Sequence, residues 1–210
     1  MDTRVKVCCI HSPEEAAVAV DCGASAVGLV ASMPSGPGVI EETMIASIAR
    51  SVPPPIATFL LTSERIAERI AAQQRRCGTN TVQICHHVSP SVHRELQERI
   101  PGIGLVQVVH VESQASVDYA LSVEETADAL LLDSGRPNAA TPELGGTGRT
   151  HDWGLGGCLK NRFVRDWERG GMRFETRGGS VFAGIRNRRV TKKLARPAPR
   201  SDELEFSESL

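Results

Sequence analysis

The chain is predicted to fold as an α/β protein whose parallel sheet is covered by helices. Three observations predict it: β-branched runs recur at roughly 25-residue intervals, the runs are apolar almost throughout, and the segments between them place apolar residues three and four apart. A strand with apolar side chains pointing both ways has both faces covered, the condition of a parallel sheet dressed by crossover helices. Right-handed crossovers then favour a barrel or a doubly wound sheet.

The expected strands, in order, are Val5 to Ile10, Ala26 to Val30, Ile56 to Leu61, Thr81 to Cys85, Leu105 to Val109 and Ala129 to Leu132. Helical spacing follows at Ala16, Ala19 and Val20, at Met44, Ile45 and Ile48, at Ile66 and Ile70, at Val92 and Leu96, and at Val117, Ala120 and Leu121. The first helix is well punctuated: Ser12 is its N-cap, Pro13 its first residue, Glu15 its capping-box acid and Gly23 its stop. After Trp153 this rhythm fails. More than half of the 24 Lys and Arg residues follow Gly157, and only Ser180 to Ile185 has strand character. Residues 1–157 are therefore read as a βα-repeat core. Residues 158–210 form a divergent segment, expected to be the least ordered part and to supply at most one last strand, placed beside the first.

The 210 residues suffice for one domain, and a formal charge of -1 gives no pull toward nucleic acid or membrane. No apolar run reaches signal-peptide or membrane-spanning length, so a cytoplasmic protein is expected. Cysteines without CxxC spacing, Cys8 and Cys9 adjacent among them, read as reduced thiols. The basic stretch from Arg186 to Lys193 lacks interleaved aromatic residues and leads into acidic residues, so it reads as a solvated tail rather than a nucleic-acid site.

A sheet of this kind places its chemistry at the carboxyl ends of its strands. The opening strand delivers Cys8 to that edge, where a thiolate favoured by Lys6 or by a phosphate-site dipole can remove a proton; its structural role would be that of a small buried hydrophobe. Asp133 follows four apolar residues to the same edge, as a proton donor or a helix cap. The string Glu143 to Trp153 contains Gly145-Gly146-Thr147-Gly148-Arg149, whose backbone N–H groups and guanidinium suit an anion, although glycine-rich stretches also serve as plain connections. Cys85, His86 and His87 lack the ligand spacing of a closed zinc site, and no metal site is assigned.

With these residues in place the sequence resembles phosphoribosylanthranilate isomerase. The resemblance rests on Val5-Lys6-Val7-Cys8, Pro13-Glu14-Glu15-Ala16, Gly23-Ala24, Ala26-Val27-Gly28, Thr81-Val82-Gln83, Leu130-Leu131-Leu132-Asp133 and Gly145 through Trp153, in that order from Arg4 to Trp153. It implies a (β/α)₈ TIM-barrel type fold, incomplete or distorted in its last units. It also implies an Amadori rearrangement in tryptophan biosynthesis, without cofactor or metal, of a small phosphorylated sugar carrying an aromatic amine. Cys8 would be the base and Asp133 the acid; Gln83, Gly145, Gly146, Thr147, Gly148, Arg149 and Gly184 would hold the substrate.

Four positions depart from the family pattern: Pro37 replaces an arginine expected to hold the anthranilate carboxylate, Cys9 a glycine, Cys85 a histidine and Gln107 a basic residue. The two phosphate loops survive only as Gly156-Gly157-Cys158-Leu159 and Ala183-Gly184-Ile185-Arg186. The alternative, of a different class, is a catalytically silent isomerase-like module for binding or interaction.

Overall fold

A computed structural model of the chain describes residues 4–136, positions 140 and 144, and the backbone of 173–175 and 181–183. Five strand–helix pairs run in sequence: β1 (Lys6–Val7), α1 (Pro13–Asp21), β2 (Ala26–Val30), α2 (Glu42–Ser51), β3 (Ala57–Thr62), α3 (Ala67–Cys77), β4 (Thr81–Ile84), α4 (Pro90–Arg99), β5 (Gly104–His110) and α5 (Gln114–Val123). Three strands follow, β6 (Ala129–Asp133), β7 (Arg173–Glu175) and β8 (Val181–Ala183). β1 to β6 pair in parallel in sequence order.

α1 forms where its punctuation places it. Ser12 Oγ accepts the Glu15 N–H at 3.2 Å, a donor the helix leaves unpaired, and the Glu15 carboxylate reaches back past the cap to accept the His11 N–H at 2.7 Å. At the other end Gly23 turns with φ +89°, and the following Ala24 N–H returns to the Ala19 carbonyl at 2.9 Å.

The sheet curls, as its packing requires. Ala26 and Val30 of β2, Phe59 and Leu61 of β3, Cys85 after β4, Val106 and Val108 of β5 and Leu131 of β6 belong to one buried cluster on one face. From β1 to β4, across two intervening strands, Lys6 Nζ reaches Gln83 Oε1 at 2.5 Å, a contact that a concave inner face permits and a flat sheet opposes. The alternate residues face the helices: Val27 and Leu29 meet α1 and α2, Val82, Ile84 and Leu105 meet α3 and α4, and Val109, Leu130 and Leu132 meet α5. This is the (β/α)₈ type of architecture expected from the resemblance, with six parallel strands present.

The departures fall at the two ends of the sheet. β1 is shorter than Val5 to Ile10 because Cys9 takes φ +59°, although the Ile10 N–H still bonds the Gly28 carbonyl at 3.3 Å. The last strand was expected beside the first; β8 instead pairs antiparallel with β6, Leu131 opposite Phe182, and β7 pairs antiparallel with β8. Only residues 176–180 separate β7 from β8, too few for the crossover a parallel pair needs. β7 was not anticipated at all, since Arg173-Phe174-Glu175 carries one apolar residue. The expectation of low order from 158 onward falls largely outside the described residues.

A buried polar network ties α4 to the sheet. Gln107 faces the helices rather than the concave side: its Nε2 lies 2.8 to 3.2 Å from the carbonyls of Ile84, His86 and Val108, and its Oε1 accepts from His93 Nε2 at 2.9 Å. Where the resemblance implies a basic residue, Gln107 thus closes a structural network. Burial lowers the pKa of His93, and burial with the Arg65 charge holds His86 near 4. A histidine whose folded pKa lies below its unfolded value, about 6.5, binds fewer protons folded than unfolded. Its stabilising contribution is complete above pH ~6.5 and is lost as pH falls toward the folded value. Urea midpoints are expected to drop between pH 7.5 and pH 5; a midpoint that holds or rises would show that these rings are not the titrating groups.

Candidate active site

Cys8 reaches the concave face by strand alternation: Val7 packs among the helix-side residues, while Lys6 and Cys8 turn inward. Its sulfur lies flat on β2, and that approach needs Gly28. A Cβ on residue 28 would stand 2.7 Å from Cys8 Sγ and 3.2 Å from its Cα. In the sequence Gly28 stands out only within Ala26-Val27-Gly28, although a glycine inside a buried strand is a known signal of close approach.

Cys9 stands where the resemblance implies glycine, and its φ of +59° gives a reason for glycine there: an L side chain in that conformation costs about 1–2 kcal/mol. The next loop closes over it. Gly38, with φ +85°, would bring a Cβ within 2.6 Å of Cys9 Sγ, and Cys9 Sγ lies 3.7 Å from the Pro37 carbonyl oxygen. Pro37 therefore sits against the thiol next to Cys8.

Below the edge, Lys6 Nζ lies between Gln83 Oε1 and the Phe59 ring, 4.6 Å from its centroid. Gln83 Nε2 lies 3.8 Å from Cys85 Sγ. Burial pushes the Cys85 thiol up to about 12 despite the lowering influence of Lys6, while Asp133 and Cys8 raise it further. Two consequences follow. Cys85 stays protonated at neutral pH and is no base, and its sulfur is close enough to sense both candidate catalytic residues. Cys9 is likewise raised, chiefly by burial. Cys77, raised to about 11, lies on the helix side. All five described cysteines are free thiols.

Asp133 ends β6 on the concave side, two residues after the inward Leu131, and is 4% exposed. Its Oδ1 accepts the Ser134 N–H at 2.7 Å. Beside it in register stands His110, the last residue of β5 and wholly buried. In the sequence His110 merely ends a largely apolar run, with nothing beside it that marks a function.

Cys85, His86 and His87 diverge rather than converge. The Cys85 sulfur is in the interior cluster, His86 Nδ1 lies 2.9 Å from Arg65, and the His87 ring stacks between His110 and Tyr119 at 5.6 and 3.9 Å. Among the described residues no group of three His, Cys, Asp or Glu side chains could hold a metal ion. Leu144 packs in the interior cluster immediately before the glycine string. Gly145, Gly146, Thr147, Gly148, Arg149 and Gly184 themselves lie outside the described residues.

No family model matches the chain. Individual relatives do. N-(5'-phosphoribosyl)anthranilate isomerase of Thermosynechococcus vestitus is 28% identical over 206 residues, 92% of this chain and 86% of the relative. The enzyme of the same name from Pelobacter propionicus is 34% identical over 164 residues, 77% of this chain and 72% of the relative. A solved phosphoribosyl anthranilate isomerase in complex with reduced 1-(o-carboxyphenylamino)-1-deoxyribulose 5-phosphate superimposes with a TM-score of 0.59 at 26% identity, covering 77% of this chain and 72% of the other.

Proposed function

The chain belongs to the N-(5'-phosphoribosyl)anthranilate isomerase family, and from that premise we propose how its own residues perform the rearrangement of N-(5'-phosphoribosyl)anthranilate to 1-(o-carboxyphenylamino)-1-deoxyribulose 5-phosphate. Asp133 gives its proton to the furanose ring oxygen as the bond from that oxygen to C1 breaks, and the amine lone pair completes a C1=N Schiff base. Cys8 as thiolate takes the C2 proton, and the electrons of that bond form the C1=C2 bond of an enolamine, quenching the nitrogen charge. Tautomerisation, with a proton delivered to C1, leaves the ketose amine. No electrons leave the substrate, so the residues need no redox partner.

The observation that carries this reading is the placement of Cys8 and Asp133 after β1 and at the end of β6, on one concave face, with Cys85 between their fields and too buried to compete. Lys6 supplies positive charge to that face, and Gln83 orients it from below. Gly145, Gly146, Thr147, Gly148 and Arg149, with Gly184, are assigned to the substrate by their match to the family motifs. Residues 1–157 are taken as the barrel core and 158–210 as its divergent C-terminal segment. Among the described residues no helix is long and apolar enough to cross a membrane, which fits a biosynthetic enzyme working in the cytoplasm.

Incubation with N-(5'-phosphoribosyl)anthranilate is expected to yield the ketose product, followed by chromatography. Absence of product while phosphate still raises the melting temperature, as binding to the folded state does, would identify a silent binding module instead.

A further inference from the structure

The mechanism leaves one buried polar atom of the concave face unused. His110 is wholly buried at the carboxyl end of β5, and among the described residues its Nδ1 has no hydrogen-bond partner. Strand alternation fixes where the ring stands: Val109 and Val111 pack on the helix side, Val106 and Val108 in the interior cluster, so His110 shares the inner face with Asp133, its partner in the register. The other nitrogen fixes the tautomer. Nε2 lies 2.9 Å from the Cys85 carbonyl, an acceptor only, so Nε2 carries the hydrogen and, in the neutral ring, Nδ1 presents a bare lone pair. The two ring nitrogens diverge, so Nδ1 does not share that carbonyl. His87, stacked on the ring and itself stacked on Tyr119, keeps it from rotating away.

A buried acceptor without a donor costs stability unless something else uses it. The geometry points to His110 as a sugar-binding residue, whose Nδ1 accepts a hydrogen bond from a hydroxyl of the substrate's sugar beside the carboxyl of Asp133. This rests on the isomerase reading above, which supplies a hydroxyl-bearing substrate opening at Asp133. The sugar is the part that fits, because its hydroxyls are donors, whereas a phosphate or a carboxylate would bring only acceptors to a lone pair.

The probe is reduced 1-(o-carboxyphenylamino)-1-deoxyribulose 5-phosphate, the compound bound in the solved relative, titrated by calorimetry. Measurable binding by the wild-type chain tests the isomerase reading first; no binding there sinks that reading and this inference with it. Given binding, His110→Phe, which keeps a flat ring and removes the acceptor, is expected to weaken the analogue about tenfold. Affinity for anthranilate, which lacks the sugar, is expected to stay within about twofold of wild type, and His110→Gln is expected to recover part of the lost affinity. Unchanged analogue affinity in a folded His110→Phe, or equal losses for analogue and anthranilate, overturns the assignment. A measurement on the wild-type chain stands whether or not the variant folds: with nitrogen-15-labelled histidine, the Nδ1 resonance of His110 is expected to move on addition of the analogue while Nε2 keeps its position. A stationary Nδ1 resonance in the bound state overturns the assignment equally.

Discussion

Cys8→Ser and Asp133→Asn are each expected to lower kcat/KM for the isomerisation by roughly two to four orders of magnitude, the usual worth of a positioned proton-transfer group. Each substitution removes the proton chemistry and little else. Serine keeps the small side chain over Gly28 but is too weak an acid to supply an anion at neutral pH. Asparagine keeps an oxygen to accept the Ser134 N–H yet has no acidic proton to give the ring oxygen. Melting temperatures should therefore stay within a few degrees of wild type. Because both groups serve one reaction, the double variant is expected to be little worse than the poorer single one. Turnover near the wild-type rate in either single variant would remove that residue from the mechanism.

Gly28→Ala is the second large effect, and it arises at a residue with no polar group. The added Cβ would lie 2.7 Å from Cys8 Sγ, and rotating the thiol away leaves the 3.2 Å approach to the Cys8 backbone. Overpacking of this kind costs about 1–3 kcal/mol of stability. The larger consequence is for the reaction, since a displacement of about 1 Å at a reacting group can cost roughly a hundredfold in rate. Kinetics should show the loss mainly in kcat, with the analogue still bound, because Gly28 offers the substrate nothing directly. If Gly28→Ala keeps wild-type kcat, the thiol does not need its present seat against β2, and the role given to Cys8 weakens with it.

Where sequence and structure agree, the reason is local. The apolar runs at Ala26 to Val30 and Ala129 to Leu132 declared buried strands because every residue in them must tolerate an apolar neighbour on one face or the other, and both faces are indeed covered. Ser12, Pro13 and Glu15 declared a helix start because a cap, a preset φ and a returning carboxylate all act within a few residues. Cys8 and Asp133 were legible as strand-end polar groups, which a parallel sheet gathers at one edge. Disagreement came where distant contacts decide. β8 pairs with the edge of β6 rather than beside β1, and no residue of Val181 to Ala183 encodes that choice.

The sequence by itself thus determined the order of strands and helices, the edge at which the chemistry gathers and the two residues proposed to carry it, all consequences of side-chain period and of position along a strand. The tertiary structure alone decided that Gly28 seats the Cys8 sulfur, that Gln107 closes a network behind the sheet, that Cys85 is too buried to act and that His110, beside Asp133, holds a nitrogen unpaired among the described residues. Each of those depends on what lies across the curl of the sheet or on its covered face, at distances set by residues 14 or more positions apart in the chain, and a sequence carries no measure of such distances until packing fixes them.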